Sequence, residues 1–281
     1  MKDNEKRAIV GELKIRIRKG ESQNSLAVRC GISAATLSQM INNNWSLIAE
    51  RMWRRVIVAL KIDFSWKTAE TTNFKMMMAL LDNCKTTSIS VGVSHDAGAG
   101  KSHAYTHYER LVDNVFYVEC KTFWTRKAYM KNILQSFGLS NNGSIDEMFE
   151  RLTDHLEGLE KPLVIIDQLD KLNDSSLDLF MDFYNVLDGY CGFVVSGVPA
   201  LKKRILRGCQ RDKSGYKEFY SRIGKKFIYL DPITIDDVAL ICRENGLTDE
   251  ELINQFFNMC EGDLRRVRKD VQVYFMKKRA A

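Results

Sequence analysis

The sequence has few of the features that mark membrane, secreted or low-complexity proteins. It contains only three prolines among 281 residues and no low-complexity run, and 45% of its residues are hydrophobic. This length and composition can build a sizeable core in about two domains. No apolar run approaches the roughly 18 residues that span a bilayer, and the charged N-terminus is unlike a signal peptide. We therefore expect a cytoplasmic protein with no membrane partner.

Cysteine and histidine also argue against two common kinds of site. The seven cysteines are widely spread without a Cys-x-x-Cys pair, which favours scattered buried thiols in a reducing cytosol over disulfides or zinc ligands. His103 and His107 share a helical face, but no His-Glu-x-x-His arrangement or third ligand accompanies them, so we expect ordinary core or surface histidines. The net charge of +6 permits nucleic-acid binding without requiring it.

The most informative stretch is a glycine-rich loop between a β-branched run and a helical segment. It ends in Gly-x-Gly-Lys-Ser, which is most of a P-loop. In a P-loop, small residues let backbone N–H groups close around phosphate, the lysine reaches the β/γ-phosphates and the serine can hold Mg²⁺. The usual glycine six residues before the lysine is His95 here. The residues expected to bind nucleotide are His95, Asp96, Ala97, Gly98, Ala99, Gly100, Lys101 and Ser102.

The region around this loop alternates regularly between strands and helices. Such alternation predicts a doubly wound parallel α/β sheet, with ligands at the carboxyl ends of its strands. The predicted strands are 88–93, 114–120, 163–167, 192–196 and 226–230. We accordingly divide the chain into a helical N-terminal domain (1–60), a linker (61–74), an α/β ATPase core (75–231) and a C-terminal helical lid (232–281).

The second part of the predicted nucleotide site lies at the end of the strand at 163–167. Four apolar residues ending in Asp167, expected on the strand beside the P-loop strand, would place a carboxylate to hold Mg²⁺ through water. The next residue is Gln168, where ATPases of this kind usually carry a glutamate that polarises the attacking water. Losing a general base costs about 10²–10⁴-fold in rate. Three explanations stay open: slow hydrolysis, substitution by Asp170, or a deliberate Glu→Gln change that traps the ATP state.

The N-terminal domain has the pattern of a helix-turn-helix DNA reader. Apolar residues recur at helical spacing, Gly31 breaks the second helix as a turn residue would, and Ser33 is a suitable N-cap for the third. Short polar groups on the third helix, including Ser33, Gln39 and Asn42, could meet base edges or phosphates. A small bundle for protein contact, with a merely solvated polar face, is the alternative.

Two basic clusters in the core are further candidates for phosphate contact. One follows the second predicted strand and mixes cations with aromatic residues, and the other lies on and after a helix near residue 200. Solvated surface charge is the alternative for both. The residues singled out are Lys121, Thr122, Arg126, Lys127, Lys202, Lys203, Arg204 and Arg207.

Taken together, these parts resemble AAA+ P-loop ATPases. More closely, they resemble the phage Mu B-like family of ATPases, which select targets in DNA transposition. The likeness covers nearly the whole chain. Its matching segments are residues 23–43, 70–71, the P-loop, 163–167, 220–226 and 262–265.

The resemblance implies ATP and Mg²⁺ as cofactors and a homo-oligomeric helical filament on double-stranded DNA. It also implies a DDE transposase as partner, in the cytoplasm of a bacterial host. Arg222 would be an arginine finger reaching a neighbour's ATP, and Arg265 a second-sensor arginine. Two departures, His95 and Gln168, bear on hydrolysis more than on binding. An ATP-switched transcriptional regulator and a helicase-loader-like ATPase are competing interpretations.

Overall fold

A computed structural model describes residues 1–280. The N-terminal part is a four-helix unit with its own core, in which Ile9, Leu13, Leu26, Leu37 and Trp53 are completely buried. Gly31 separates the second and third of its four helices, as predicted. The four helices are α1 (Asp3–Arg18), α2 (Gln23–Cys30), α3 (Ala34–Ile41) and α4 (Glu50–Leu60).

The turn between α2 and α3 has the local chemistry that the sequence predicts. Gly31 ends α2 with a φ of +64°, a conformation that costs glycine little. The Ser33 side chain caps α3 by accepting a hydrogen bond from the Thr36 backbone N–H at 3.1 Å. The predicted turn and cap are therefore present, while the helix-turn-helix assignment and its DNA-reading role stay predictions.

A five-stranded parallel sheet forms the centre of the molecule, as expected. Its strands lie in the order β2-β3-β4-β1-β5, and all registered pairs are parallel. The bounds are β1 (Ser90–Ser94), β2 (Val115–Glu119), β3 (Leu163–Asp167), β4 (Gly192–Gly197) and β5 (Phe227–Ile228). One expectation was wrong: β3, which carries Asp167, is not adjacent to the P-loop strand β1, because β4 lies between them.

Helices cover both faces of the sheet, so the interior strand β3 is buried throughout. Leu163 and Ile165 pack against α5 (Thr72–Thr87) and α6 (Lys101–Leu111), whereas Val164 and Ile166 face the opposite layer, as the strand period of two requires. That layer contains α7 (Arg126–Ser136), α8 (Ile145–Glu157), α9 (Asp174–Leu187), α10 (Pro199–Gln210) and α11 (Tyr216–Arg222).

Three C-terminal helices form a third cluster with a separate core. The segment before α5 packs against them: the Asn245 side chain bonds both the N–H and the carbonyl of Lys67. Helix α5 starts at Thr72, inside the predicted linker, because Thr71 caps it and Asp237 accepts from the Thr72 N–H at 2.8 Å. The helices are α12 (Ile235–Glu244), α13 (Glu250–Cys260) and α14 (Leu264–Ala280).

The N-terminal helices are docked on the core through buried charges. Glu109 of α6, only 4% exposed, pairs with Arg29 of α2 and lies 3.6 Å from Arg16 of α1. Beside this cluster, Ser25 donates to the Phe137 carbonyl at 3.2 Å. The helical unit therefore rests directly on the helix that begins at the P-loop. No helix within residues 1–280 has the length and hydropathy needed to span a membrane.

Candidate nucleotide-binding site

The P-loop connects β1 to α6 and takes its shape from two glycines. Gly98 and Gly100 have φ values of +89° and +90°, a region that side chains rarely adopt. His95 has no positive φ, so this loop does not need glycine there, and its N–H donates to the Gly197 carbonyl at 3.3 Å. Burial lowers the pKa of His95. The departure at His95 is thus compatible with a formed phosphate loop.

Lys101 and Ser102 open α6, where the first backbone N–H groups have no intrahelical acceptors and favour an anion. The Lys101 amine is largely buried, and it donates to the carbonyls of His95 at 2.7 Å and Asp96 at 2.8 Å. Burial lowers the pKa of Lys101, although the carboxylates of Asp167 and Asp96 act in the opposite direction. A phosphate entering the loop would offer this amine a charged acceptor.

The Asp167 side chain reaches Ser102 of the P-loop from β3, although β4 lies between β3 and β1. Its Oδ2 atom accepts from the Ser102 hydroxyl at 2.5 Å and from the Tyr117 hydroxyl at 3.1 Å. A serine hydroxyl and a carboxylate are the hard oxygen ligands that Mg²⁺ takes beside nucleotide phosphates. The donor set therefore fits ATP with Mg²⁺, which Ser102 and Asp167 would hold.

Gln168 lines the cavity but is held by its neighbours. Its backbone is left-handed, with a φ of +58°. Its amide Nε2 donates to Glu119 at 3.1 Å, and its Oε1 accepts from Lys171. Asp170 also lines the cavity, and one of its oxygens accepts the Val198 N–H at 3.2 Å. Gln168 and Asp170 are therefore the two residues next to Asp167 that could act on water.

The cavity extends from the P-loop over an apolar wall, with a total volume of about 470 Å³. That volume is in the range of small-molecule sites. Residues 61–74 show no periodicity and predict a linker, yet Trp66 and Phe74 line this wall. The Arg268 guanidinium lies 5.1 Å from the Trp66 ring centroid. A flat aromatic surface beside a phosphate loop suits a nucleobase.

The start of α14 closes the cavity over Gly98. The Leu264 N–H donates to the Gly98 carbonyl at 3.0 Å. A Cβ atom on Gly98 would lie 2.1 Å from the Asp263 carboxylate. Arg265 lines the cavity as its second-sensor assignment requires, but both ends of its guanidinium bond Asp263. Asp263 was not singled out from the sequence, and only its position before Leu264-Arg265 could have pointed to it.

Arg222 lies away from this cavity, at the end of α11. Its guanidinium lies 3.6 Å from Glu218 and 3.7 Å from Asp188, over the Tyr184 ring. A role on a neighbour's ATP stays a prediction. Ser196 of β4 is completely buried and does not line the cavity.

Within each basic cluster, some cations are paired with neighbouring side chains and others are exposed. Arg204 donates to Tyr216 at 3.0 Å and pairs with Asp174, so it holds α10 to α9. Lys121 pairs with Glu119, and Arg126 lies 3.6 Å from Asp182. Lys202 lies over the Tyr229 ring at 4.5 Å. The remaining candidates are exposed: Thr122, Lys127, Lys203 and Arg207. Phosphate contact by either cluster stays a prediction.

The candidate DNA-reading residues of α3 are exposed. Ser33, Gln39 and Asn42 face solvent, while Leu37 and Met40 on the other side are fully buried. The histidine pair has ordinary packing roles: both rings contact Phe74, and His103 bonds the Thr68 hydroxyl at 3.1 Å.

Comparison with known proteins agrees with this geometry for one part of the chain. The model of a family described as an AAA domain matches residues 93–205, which span the P-loop, β2, β3, β4 and most of α10. The match assigns this segment to an AAA-type ATPase domain. No curated protein matched the sequence significantly.

Proposed function

We propose that the chain is a slow ATPase that uses bound ATP as a switch for assembly on DNA. The observation that carries the proposal is the meeting of Lys101, Ser102 and Asp167 at one end of a cavity whose other end is aromatic. That arrangement supports binding of a nucleoside triphosphate with Mg²⁺. The AAA-type domain match supports the same conclusion.

The residues beside Asp167 support slow turnover. Lys101 would bind the phosphates, and Mg²⁺ held by Ser102 and Asp167 would neutralise charge on them. Gln168 can hydrogen-bond an attacking water but cannot take its proton. Asp170 is the available carboxylate, since only one of its oxygens is engaged. Hydrolysis then proceeds without a glutamate in the usual place, and the ATP state lasts long.

The DNA, filament and transposase parts of the proposal rest mainly on the resemblance to transposition target-selection ATPases. The exposed polar face of α3 and the exposed cations Lys127, Lys203 and Arg207 supply groups that could contact phosphates. Arg222 lies outside its own cavity, as an arginine acting on a neighbour's ATP would. We propose a homo-oligomeric filament on duplex DNA that recruits a DDE transposase.

An ATP-switched transcriptional regulator is the second candidate. It is favoured by the capped turn between α2 and α3 and by the exposure of Ser33, Gln39 and Asn42 to solvent. Such a regulator should hold one DNA sequence at moderate salt and need little ATP.

Electron microscopy with random-sequence duplex DNA, with and without ATP, separates the two. We expect ATP-dependent filaments on any duplex, with steep salt dependence, and none from a Lys101→Ala variant. Discrete particles at one sequence, independent of ATP, would support the regulator instead.

A further inference from the structure

The last N-terminal helix reaches the nucleotide site through one lysine. Lys61 ends α4 in a left-handed conformation and directs its amine toward strand β2. The amine lies 2.7 Å from Glu119 Oε2 and 4.4 Å from the centroid of the Tyr117 ring. One side chain of the N-terminal unit therefore makes an ion pair and a cation–π contact with two residues of the core.

These two residues touch the polar end of β3. Tyr117 and Glu119 are two apart on β2 and so point to the same face of the sheet. The Tyr117 hydroxyl donates to Asp167 at 3.1 Å, and Glu119 Oε1 accepts from the Gln168 amide at 3.1 Å. Lys61 is therefore linked to Asp167 through Tyr117 and to Gln168 through Glu119.

The contacts restrain Gln168. Its amide nitrogen donates to Glu119 and its oxygen accepts from Lys171, so turning the amide toward an attacking water would break these hydrogen bonds. Burial alone would raise the pKa of Glu119, but hydrogen bonds from Lys121 and Lys61 lower it to about 2. Glu119 is therefore an ionised acceptor at neutral pH and holds the amide continuously.

The position of Lys61 depends on how the N-terminal unit is docked. The buried pairs of Glu109 with Arg29 and Arg16 hold that unit on α6. A cavity of about 280 Å³ adjoins Lys61, Glu119 and Glu109. Lys61 can therefore move away from Glu119 without repacking of a core.

We propose that Lys61 is a positioning residue through which the docked N-terminal helices restrain Gln168 and hold ATP turnover low. The inference rests on the ATPase function proposed above. Undocking of these helices would leave Lys121 as the remaining lysine partner of Glu119, loosen the hold of Glu119 on the Gln168 amide and let Gln168 turn toward the attacking water. The N-terminal unit would then set the lifetime of the ATP state.

The test compares full-length variants by ATP affinity, measured with a fluorescent analogue, and by kcat, measured from phosphate release. Lys61→Met keeps the aliphatic stem and removes the charge, and Lys61→Arg keeps the charge. Lys14→Met is the matched control, because Lys14 is exposed on α1 and has no ion pair within residues 1–280. Glu119→Gln weakens the same restraint from the other side, in case Lys61→Met fails to fold.

We expect Lys61→Met and Glu119→Gln to raise kcat about two- to fivefold, the size expected for loss of a half-exposed ion pair. ATP affinity should stay within about twofold of the unaltered protein. General destabilisation would not raise kcat while leaving the affinity unchanged. Lys61→Arg and Lys14→Met should behave like the unaltered protein. An unchanged or lower kcat in Lys61→Met, with the unaltered protein hydrolysing ATP, would overturn this inference alone. Failure of the unaltered protein to bind ATP would instead overturn the proposed function, and the inference with it.

Discussion

Replacing Glu109 with glutamine should destabilise the protein strongly, because this carboxylate lies between two buried guanidinium groups. Arg16 and Arg29 are only 5% and 10% exposed in their side chains. Glutamine keeps the size of the side chain and an acceptor for the Tyr117 N–H, which lies 3.3 Å from Glu109 Oε1. The change therefore removes charge with little loss of packing. Within residues 1–280, only Glu21, at 3.8 and 3.7 Å, would remain to pair the two arginines.

The expected loss follows from the cost of leaving buried charges unpaired. Removing one partner of a buried pair costs about 3–5 kcal/mol, and the residual pairing with Glu21 places Glu109→Gln near the lower end, at about 3 kcal/mol. Urea unfolding followed by circular dichroism measures this loss in the free energy of unfolding. Arg54→Ala is the control, since Arg54 and Glu50 are 69% and 49% exposed and such pairs contribute about 1 kcal/mol or less. A loss below about 1 kcal/mol in Glu109→Gln would refute the docking role of this cluster.

Four further outcomes are expected. Lys101→Ala should weaken ATP binding by about tenfold or more, as loss of a charge-assisted hydrogen bond implies; affinity unchanged in equilibrium binding would contradict the phosphate role. Gly98→Ala should weaken ATP binding more than Gly20→Ala, because both have a positive φ but only Gly98 has a neighbour in the way of a Cβ atom; equal effects would count against closure of the loop by α14. Arg222→Ala should spare ATP binding by monomers and reduce assembly or turnover, and loss of monomer binding in the same assay would exclude a role in trans. The pKa of Glu119 is lowered from 4.5 to about 2, so its stabilising contribution is complete above pH 4.5 and lost as pH falls toward 2. The difference in free energy of unfolding between Glu119→Gln and the unaltered protein, measured by urea unfolding, should therefore be smaller at pH 3 than at pH 7. An equal difference at both pH values would disprove the stabilising role of ionised Glu119.

Much of the fold follows from local patterns. The continuous apolar run before Asp167 predicts a strand buried on both faces, and β3 has the predicted bounds. Ser33 and Gly31 also have the predicted roles, because caps and left-handed turns depend on a few neighbouring residues. Strand order is different: it depends on long-range pairing, and nothing local places β4 between β1 and β3.

The phosphate end of the site could be predicted because its residues are contiguous in sequence. The aromatic wall could not, since Trp66 lies in a segment without periodicity, which packs against Asn245 at the end of α12 and Arg268 of α14. The same limit applies to Asp263, whose contact with Gly98 joins residues 165 positions apart. Glu119 and Lys61 meet only because the N-terminal helices dock on α6, which brings Lys61 next to β2.

Steady-state ATP hydrolysis by the full-length protein, compared with a Gln168→Glu variant in Mg²⁺, tests the central claim of a slow ATP switch most directly. We predict that both proteins bind ATP and that the unaltered protein turns over well below about 1 s⁻¹, under the usual range for enzymes. Gln168→Glu should raise the rate at least about tenfold by supplying a general base. Turnover of about 1 s⁻¹ or faster by the unaltered protein, or no rise in the variant, would contradict the claim.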